Sequence, residues 1–286
     1  PTPARLSSAA VGLAVVLVLG VMTQVVSQLY GTLPLRTGWP WRIYAARGLH
    51  DDNAVLQSFI LSFRTAFLAT AASPVLGFVG ALLVRGTKRG RSVLSAVFQS
   101  SLPVPHLVGA LAMLLLLSQG GALSRLTNAV GLTDGSQGFP EVTGDRFGWG
   151  ILAEYVWKET PFIGVVVLSA LNAGVAELED AARTLGAGRW SRLRHVIIPV
   201  ITPGVLATSI LVFAFSFGSY EVPFLLGRPY PATLTVVAYQ YYSDVDLNSR
   251  PVAMAICVVI AVLVGLLVSA YLALSHRCSR SPPRGS

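Results

Sequence analysis

The 286-residue chain is 53% hydrophobic and 12% charged, with a formal net charge of +8; its mean hydropathy is +0.64 and its pI about 9.9. Soluble domains carry about a quarter charged residues, so this composition excludes an ordinary water-borne globule. Two cysteines, Cys257 in an apolar run and Cys278 in a basic tail, exclude a disulfide framework or a cysteine-rich metal cluster.

The length of the apolar runs decides the class. Windows of about 19 residues give spans at 8–29, 62–84, 96–118, 148–172, 202–224 and 251–274. None shows strand alternation, and a backbone facing lipid must satisfy its amides within the segment. The fold is therefore expected to be all-α, a polytopic bundle of about six transmembrane helices. The first run follows Arg5 without a clear cleavage site and reads as a retained helix, not a secretory signal.

The second span carries Arg64 near its outer end. In the third, Pro103 and Pro105 predict a kink, and His106 beside them reads as a packing or capping residue. The fourth holds Glu154 and Lys158 four residues apart, the spacing of a local helical ion pair. The fifth ends in FGSYEVPF, where Gly218 and Pro223 loosen the helix around Tyr220 and Glu221. An acid at membrane depth is costly unless it has work to do, so Tyr220, Glu221 and Arg64 are candidate solute-pathway residues. The alternative is that Glu221 pairs with Arg64, Arg228 or Arg250, or reaches water. Tyr230, Tyr239, Tyr241 and Tyr242, followed by Asp244 and Asp246, suit a cationic solute, a docking protein or an interfacial aromatic belt.

The loops set the orientation. Arg85, Lys88, Arg89 and Arg91 crowd the loop 85–95, and Arg183, Arg189, Arg192 and Arg194 crowd 173–201. Basic residues stay on the cytoplasmic side, which places these loops and both termini there. The positive charge thus reports topology and gives no ground for nucleic-acid binding. The tail 275–286, rich in Arg, Ser and Pro, is expected to lie disordered near anionic lipid.

The loop 173–201 is the most informative. In VAELEDAARTLGAGRWSRLRHVIIPVITPG, starting at Val175, acids precede Arg183 as a short helix prefers, then Gly186 and Gly188 break it. A second amphipathic stretch runs from Trp190 to Ile198, where Pro199 is expected to end it. This helix–turn–helix outside the membrane resembles the EAA motif of the permeases of type I ABC importers: Glu-Ala-Ala, three residues, Gly, nine residues, Ile, any residue, Leu-Pro. Asp180, Ala181, Ala182, Gly186, Val196, Ile198 and Pro199 stand in that register, with Asp for Glu, Val for Ile and Ile for Leu. Glu179, one position earlier, is a second candidate for the acid. LPVPHLVGALAMLLLL also looks like the proline-bearing third helix of the family.

The resemblance implies one permease domain over 1–286, with core helices about 56–274, a coupling loop about 173–201 and the basic tail. It implies that Glu179, Asp180, Ala181, Ala182, Gly186, Arg189, Arg192 and Pro199 couple the chain to an ABC ATPase dimer. Small Ala181 and Ala182 would permit close approach, Gly186 the turn, and Arg189 or Arg192 pairing with acids of the ATPase. Further implied partners are a second permease, identical or homologous, an extracytoplasmic solute-binding protein and membrane lipid. The resemblance also implies a multi-pass protein of the bacterial inner membrane. No Gly-Lys pair followed by Ser or Thr forms a phosphate cradle, so ATP and Mg are expected on the ATPase, with no cofactor and no catalysis in this chain. LEDAARTLGAG looks like the subgroup importing polyamines, iron, sulfate, thiamine or phosphonates; with the outer acids, this favours a polyamine-type solute. The rival is a secondary transporter or channel working without an ATPase through a relay of intramembrane acids.

Overall fold

A computed structural model describes residues 52–87 and 89–279; the expected span 8–29, Arg5, Lys88 and the end of the tail lie outside the described residues. Among the described residues every regular element is helical. In chain order they are α1 (Asp52–Gly86), α2 (Arg91–Gln99), α3 (His106–Leu117), α4 (Ala122–Ala129) and α5 (Trp149–Ala170). After a π turn at Leu171–Val175 come α6 (Ala176–Thr184) and α7 (Arg189–Arg192), then a second π turn at Leu193–Ile197. The chain continues as α8 (Ile198–Gly218), α9 (Glu221–Leu226), α10 (Leu234–Tyr242) and α11 (Arg250–Ser279).

Val55–Gly86, His106–Ala129, Arg189–Gly218 and Val252–Ser269 are long and apolar enough to cross a membrane. Helix α5 has 22 residues, or about 33 Å at ~1.5 Å per residue, which also suffices in length. Its interior carries Glu154, Lys158 and Glu159, all buried.

The structure corrects several boundaries. The loop expected over 30–61 gives way to helix by Asp52, because VLQSFIL continues the apolar run of the second span. The third span is not kinked but broken: α2 stops at Gln99, residues 100–105 turn, and α3 restarts after Pro105 in extended conformation. Proline removes a donor and disfavours helix at the residue before it, and two prolines in three residues make continuation impossible. The fifth span ends early at Gly218, with Ser219 extended. Pro199 does not end a helix. The chain stays helical from Arg189 to Gly218, with Pro199 in the opening turn of α8. There the preceding π turn has already shifted the hydrogen-bond register, so a missing N–H costs little. Within the loop expected over 225–250, α10 forms, and α11 runs on to Ser279, past the expected start of the tail.

The described residues divide into two compact units. One comprises residues 52–58 with Leu234–Leu263; within it α10 packs on the 3-10 turn Leu247–Ser249, and the Arg250 guanidinium lies 5.3 Å above the Tyr242 ring. The other comprises the described residues of Phe59–Thr233 with residues 264–279. Its core has two parts. Ala81, Ile163, Val167, Leu171, Val175, Ile197, Ile201 and Val212 form one; Ala69, Ala110, Ile151, Tyr155, Val222 and Leu226 form the other. Where α1 meets α5, a Cβ added to Gly77 would fall 2.8 Å from the Thr160 carbonyl oxygen. Only glycine permits such backbone contact, the means by which helices pack closely in lipid. Phe98 of α2 then inserts its ring against Gly80 and Gly164. Large apolar side chains such as Phe67, Val75, Leu83 and Leu115 point outward, as expected of a surface that lipid covers.

Candidate functional site

Two features stand apart from simple packing: the elbow between α5 and α8, and a charged cluster at membrane depth.

The elbow is built from local rules. Glu177 and Glu179 lie in the first turn of α6 and Arg183 in its last, each favourable to the helix dipole. Gly186 closes α6 at φ +80°; its N–H donates to the Arg183 carbonyl at 3.0 Å and the Ala187 N–H to the Ala182 carbonyl at 3.0 Å. That paired pattern with a left-handed residue is the Schellman stop, for which glycine is the unstrained choice. Helix α7 then starts and turns back into α8. The elbow presents an apolar surface to solvent: Leu185 is 87% exposed and Trp190 72%. Asp180, Ala181, Gly186, Arg189 and Pro199 are exposed as well, while Ala182 and Arg192 are half-buried.

The elbow is joined to the bundle at both ends by π turns, which pack on each other. Leu171 and Val175 of the first and Ile197 of the second belong to the same buried cluster as Ala81, Ile163 and Val212 of the spans. Interiors packed this closely transmit displacement instead of absorbing it. A second link is ionic: Arg85 Nη2 at the end of α1 lies 2.6 Å from Glu179 Oε2. The neighbouring Asp180 side chain has no partner among the described residues.

The charged cluster assembles residues from two elements. On α5, Glu154 is fully buried, and Lys158 and Glu159 nearly so; they stand about 8 to 15 Å along the helix from its start. His106 opens α3 and lies between the acids, with Nδ1 3.2 Å from Glu154 Oε1 and Nε2 3.7 Å from Glu159 Oε1. Its ring also packs on Phe215, centroids 4.4 Å apart. Lys158 does not take Glu154 as its partner, contrary to the helical spacing. Its Nζ donates to the Ser101 carbonyl at 2.5 Å and the Leu102 carbonyl at 3.3 Å. The physical reason is the break at residues 100–105: the Leu102 carbonyl has no backbone donor among the described residues, the Ser101 carbonyl accepts from the Val104 N–H at 3.2 Å with a lone pair to spare, and an ammonium is the strongest donor within reach. His106 thus stands between two acids, while Lys158 beside them is held by backbone carbonyls. His106, Lys158 and Glu159 line a cavity of about 440 Å³, together with Leu102, Phe162, Leu211 and Phe215.

At the other end of the spans, Arg64 is occupied. It donates to the carbonyls of Arg146 at 3.1 Å and Phe147 at 2.7 Å, with its guanidinium 4.2 Å from the Phe147 ring. Asp145 holds the amides of the same turn, accepting from Phe147, Gly148 and Trp149 at 2.8–2.9 Å and so capping α5. Tyr220 stacks on Phe224 at 5.1 Å. Glu221 is exposed in the first turn of α9 and forms no ion pair with Arg64 or Arg228 among the described residues. The structure therefore brings the elbow residues together but does not gather Arg64, Tyr220 and Glu221 into one site. His106 was missed in the sequence because its partners lie 48 and 53 positions away. The available signal was three charges in one apolar span, which require partners from elsewhere.

Comparison with known proteins gives concordant results. The binding-protein-dependent transport system inner membrane component family matches residues 73–278. The chain is 31% identical over 233 residues to the probable molybdenum ABC transporter permease protein of Haloferax volcanii, covering 81% of this chain and 78% of that one. It is 29% identical over 224 residues to the molybdenum transport system permease protein of Escherichia coli K12, covering 76% and 93%. With the probable sulfate transport system permease protein of Marchantia polymorpha it shares 24% over 226 residues, covering 78% and 74%. Among solved structures, a bacterial ABC transporter involved in the import of the acidic polysaccharide alginate superposes with a TM-score of 0.76 at 15% identity, over 96% of this chain and 95% of that one. The inward-facing MetNI methionine ABC transporter gives 0.54 at 18% identity, over 79% and 94%. Both show likeness of fold alone.

Proposed function

Since the chain belongs to the binding-protein-dependent transport system inner membrane component family, and so is a membrane-embedded permease subunit of an ABC importer, we propose that its elbow seats in a separate ATPase and carries the stroke of that ATPase into the spans. The observation that supports this most is the continuity of the elbow with the core: exposed Leu185 and Trp190 at its tip, buried Leu171, Val175 and Ile197 at its base. A docking surface and a transmission path occupy one short segment. Catalysis is no part of the subunit; ATP and Mg belong to the ATPase. The acids that a carrier without an ATPase would need are present at membrane depth. They are tied to His106, and the rival reading gains nothing from the family.

The solute is a small tetrahedral oxyanion of the sulfate or molybdate class, delivered by an extracytoplasmic binding protein. Support comes from the names of the relatives, which mention sulfate and molybdenum and lend nothing to the polyamine expectation. The cavity beside His106, Lys158 and Glu159 is the place on its path best suited to a passing ion. It sets polar groups of both kinds, Lys158 and Glu159, beside apolar Leu102 and Phe162, so it offers polar contact without a ring of one charge that would trap an anion. A second permease, with ATPases on the cytoplasmic face, completes the assembly, and both termini face the cytoplasm.

Co-purification tests the coupling. The tagged chain is expected to retain an ATPase, and deletion of 179–199 or the variant Gly186→Trp to lose it; retention of the ATPase by both variants refutes the reading. Uptake of labelled sulfate and molybdate into proteoliposomes, with spermidine as competitor, tests the solute class. Competition by spermidine with no oxyanion uptake overturns it.

A further inference from the structure

The two adjacent acids of α6 have different partners. Glu179 Oε2 lies 2.6 Å from Arg85 Nη2, with side-chain exposures of 16% and 26%, whereas Asp180 is exposed with no partner among the described residues. Neighbouring positions on a helix diverge by about 100°, so the two carboxylates cannot serve one partner. Arg85 lies in the last turn of α1 and Glu179 in the first turn of α6, where each charge also suits the dipole of its own helix. The contact spans 94 positions of sequence and is short and half-shielded from water, unlike the mobile surface pairs that contribute little.

We infer that Glu179 and Arg85 form an internal strut, which locks the elbow to the end of α1 throughout the transport cycle and leaves Asp180 as the acid that faces the ATPase. Glu179 is a positioning residue: it acts through Arg85 on the span and touches neither solute nor nucleotide. The buried contact of the π turns joins the elbow to α5 and α8. The strut adds α1, so that α1, α5 and α8 respond together. This inference rests on the reading of the elbow as the ATPase-coupling segment.

The test uses the complete complex in proteoliposomes and reads solute imported per ATP hydrolysed. Glu179→Gln and Arg85→Gln are each expected to lower that ratio threefold or more while the ATPase stays bound, and the swap Arg85→Glu with Glu179→Arg to restore it to within twofold. Asp180→Asn is expected to reduce ATPase retention instead. A second arm places cysteines at 85 and 179 in a background with Cys257 and Cys278 replaced by alanine. Joining them with a short bifunctional thiol reagent is expected to raise the ratio of the uncrosslinked form towards that of the parent, since a strut never opens. Unchanged ratios in the single variants, or transport abolished by the cross-link, overturn the strut. Failure of the parent complex to hold an ATPase overturns the coupling reading, and the strut with it.

Discussion

Replacement of Lys158 by Met removes the ammonium while keeping the length and packing of its stem. The ammonium donates to the Ser101 and Leu102 carbonyls, and the residue is only 6% exposed, so the apolar methionine replaces neither bond. Hydrogen bonds to a charged group contribute about 1.5–3 kcal/mol each. The two bonds together, one of them long at 3.3 Å, account for about 3–5 kcal/mol. Lys158→Met is therefore expected to destabilise the detergent-purified protein by about 3–5 kcal/mol, read as a lowered melting temperature. The geometry also predicts which groups are coupled. In double-mutant cycles Glu154→Gln should couple more strongly to His106→Gln, its 3.2 Å partner, than to Lys158→Met, its neighbour by helical spacing. Stability of Lys158→Met within about 1 kcal/mol of the parent, or the reverse order of couplings, would refute the reasoning.

Gly164→Ala would place a Cβ 2.5 Å from the Phe98 ring, and overpacking of this kind costs about 1–3 kcal/mol; thermal melting should show Phe98→Leu relieving part of that loss in the double variant. Asp145→Ala removes the acceptor for three amides at the start of α5, a loss of about 1–2 kcal/mol by the scale of helix caps, with Asp145→Asn intermediate in the same melting assay. At Gly186 nothing lies within 4 Å of an added Cβ, so the penalty comes from φ +80° alone. Gly186→Asn should keep the ATPase bound and Gly186→Val should release it on affinity purification, because asparagine tolerates the left-handed region and a β-branched residue does not.

Much of the molecule is legible in the chain itself, and the reason is that lipid and local backbone rules act on contiguous residues. Runs near 20 apolar residues dictated helices because the bilayer core offers the backbone no other partner. The elbow was equally readable: the stop at Gly186 and the acids opening α6 depend on neighbours a few positions away. Proline was harder to read. Pro103 and Pro105 break their span entirely, while Pro199 sits harmlessly in an opening helical turn; two prolines in three residues leave no helical path between them, whereas Pro199 stands where the preceding π turn has already shifted the register. What only the tertiary structure decided is the pairing of charges. Spacing assigned Lys158 to Glu154, but the free energy of a buried charge depends on every group its environment brings near, and here that was the broken end of another span. His106 gained two acids, Arg64 a pair of carbonyls and Glu179 an arginine 94 positions away. Sequence distance does not enter Coulomb's law, so those partners became visible only once the helices were packed.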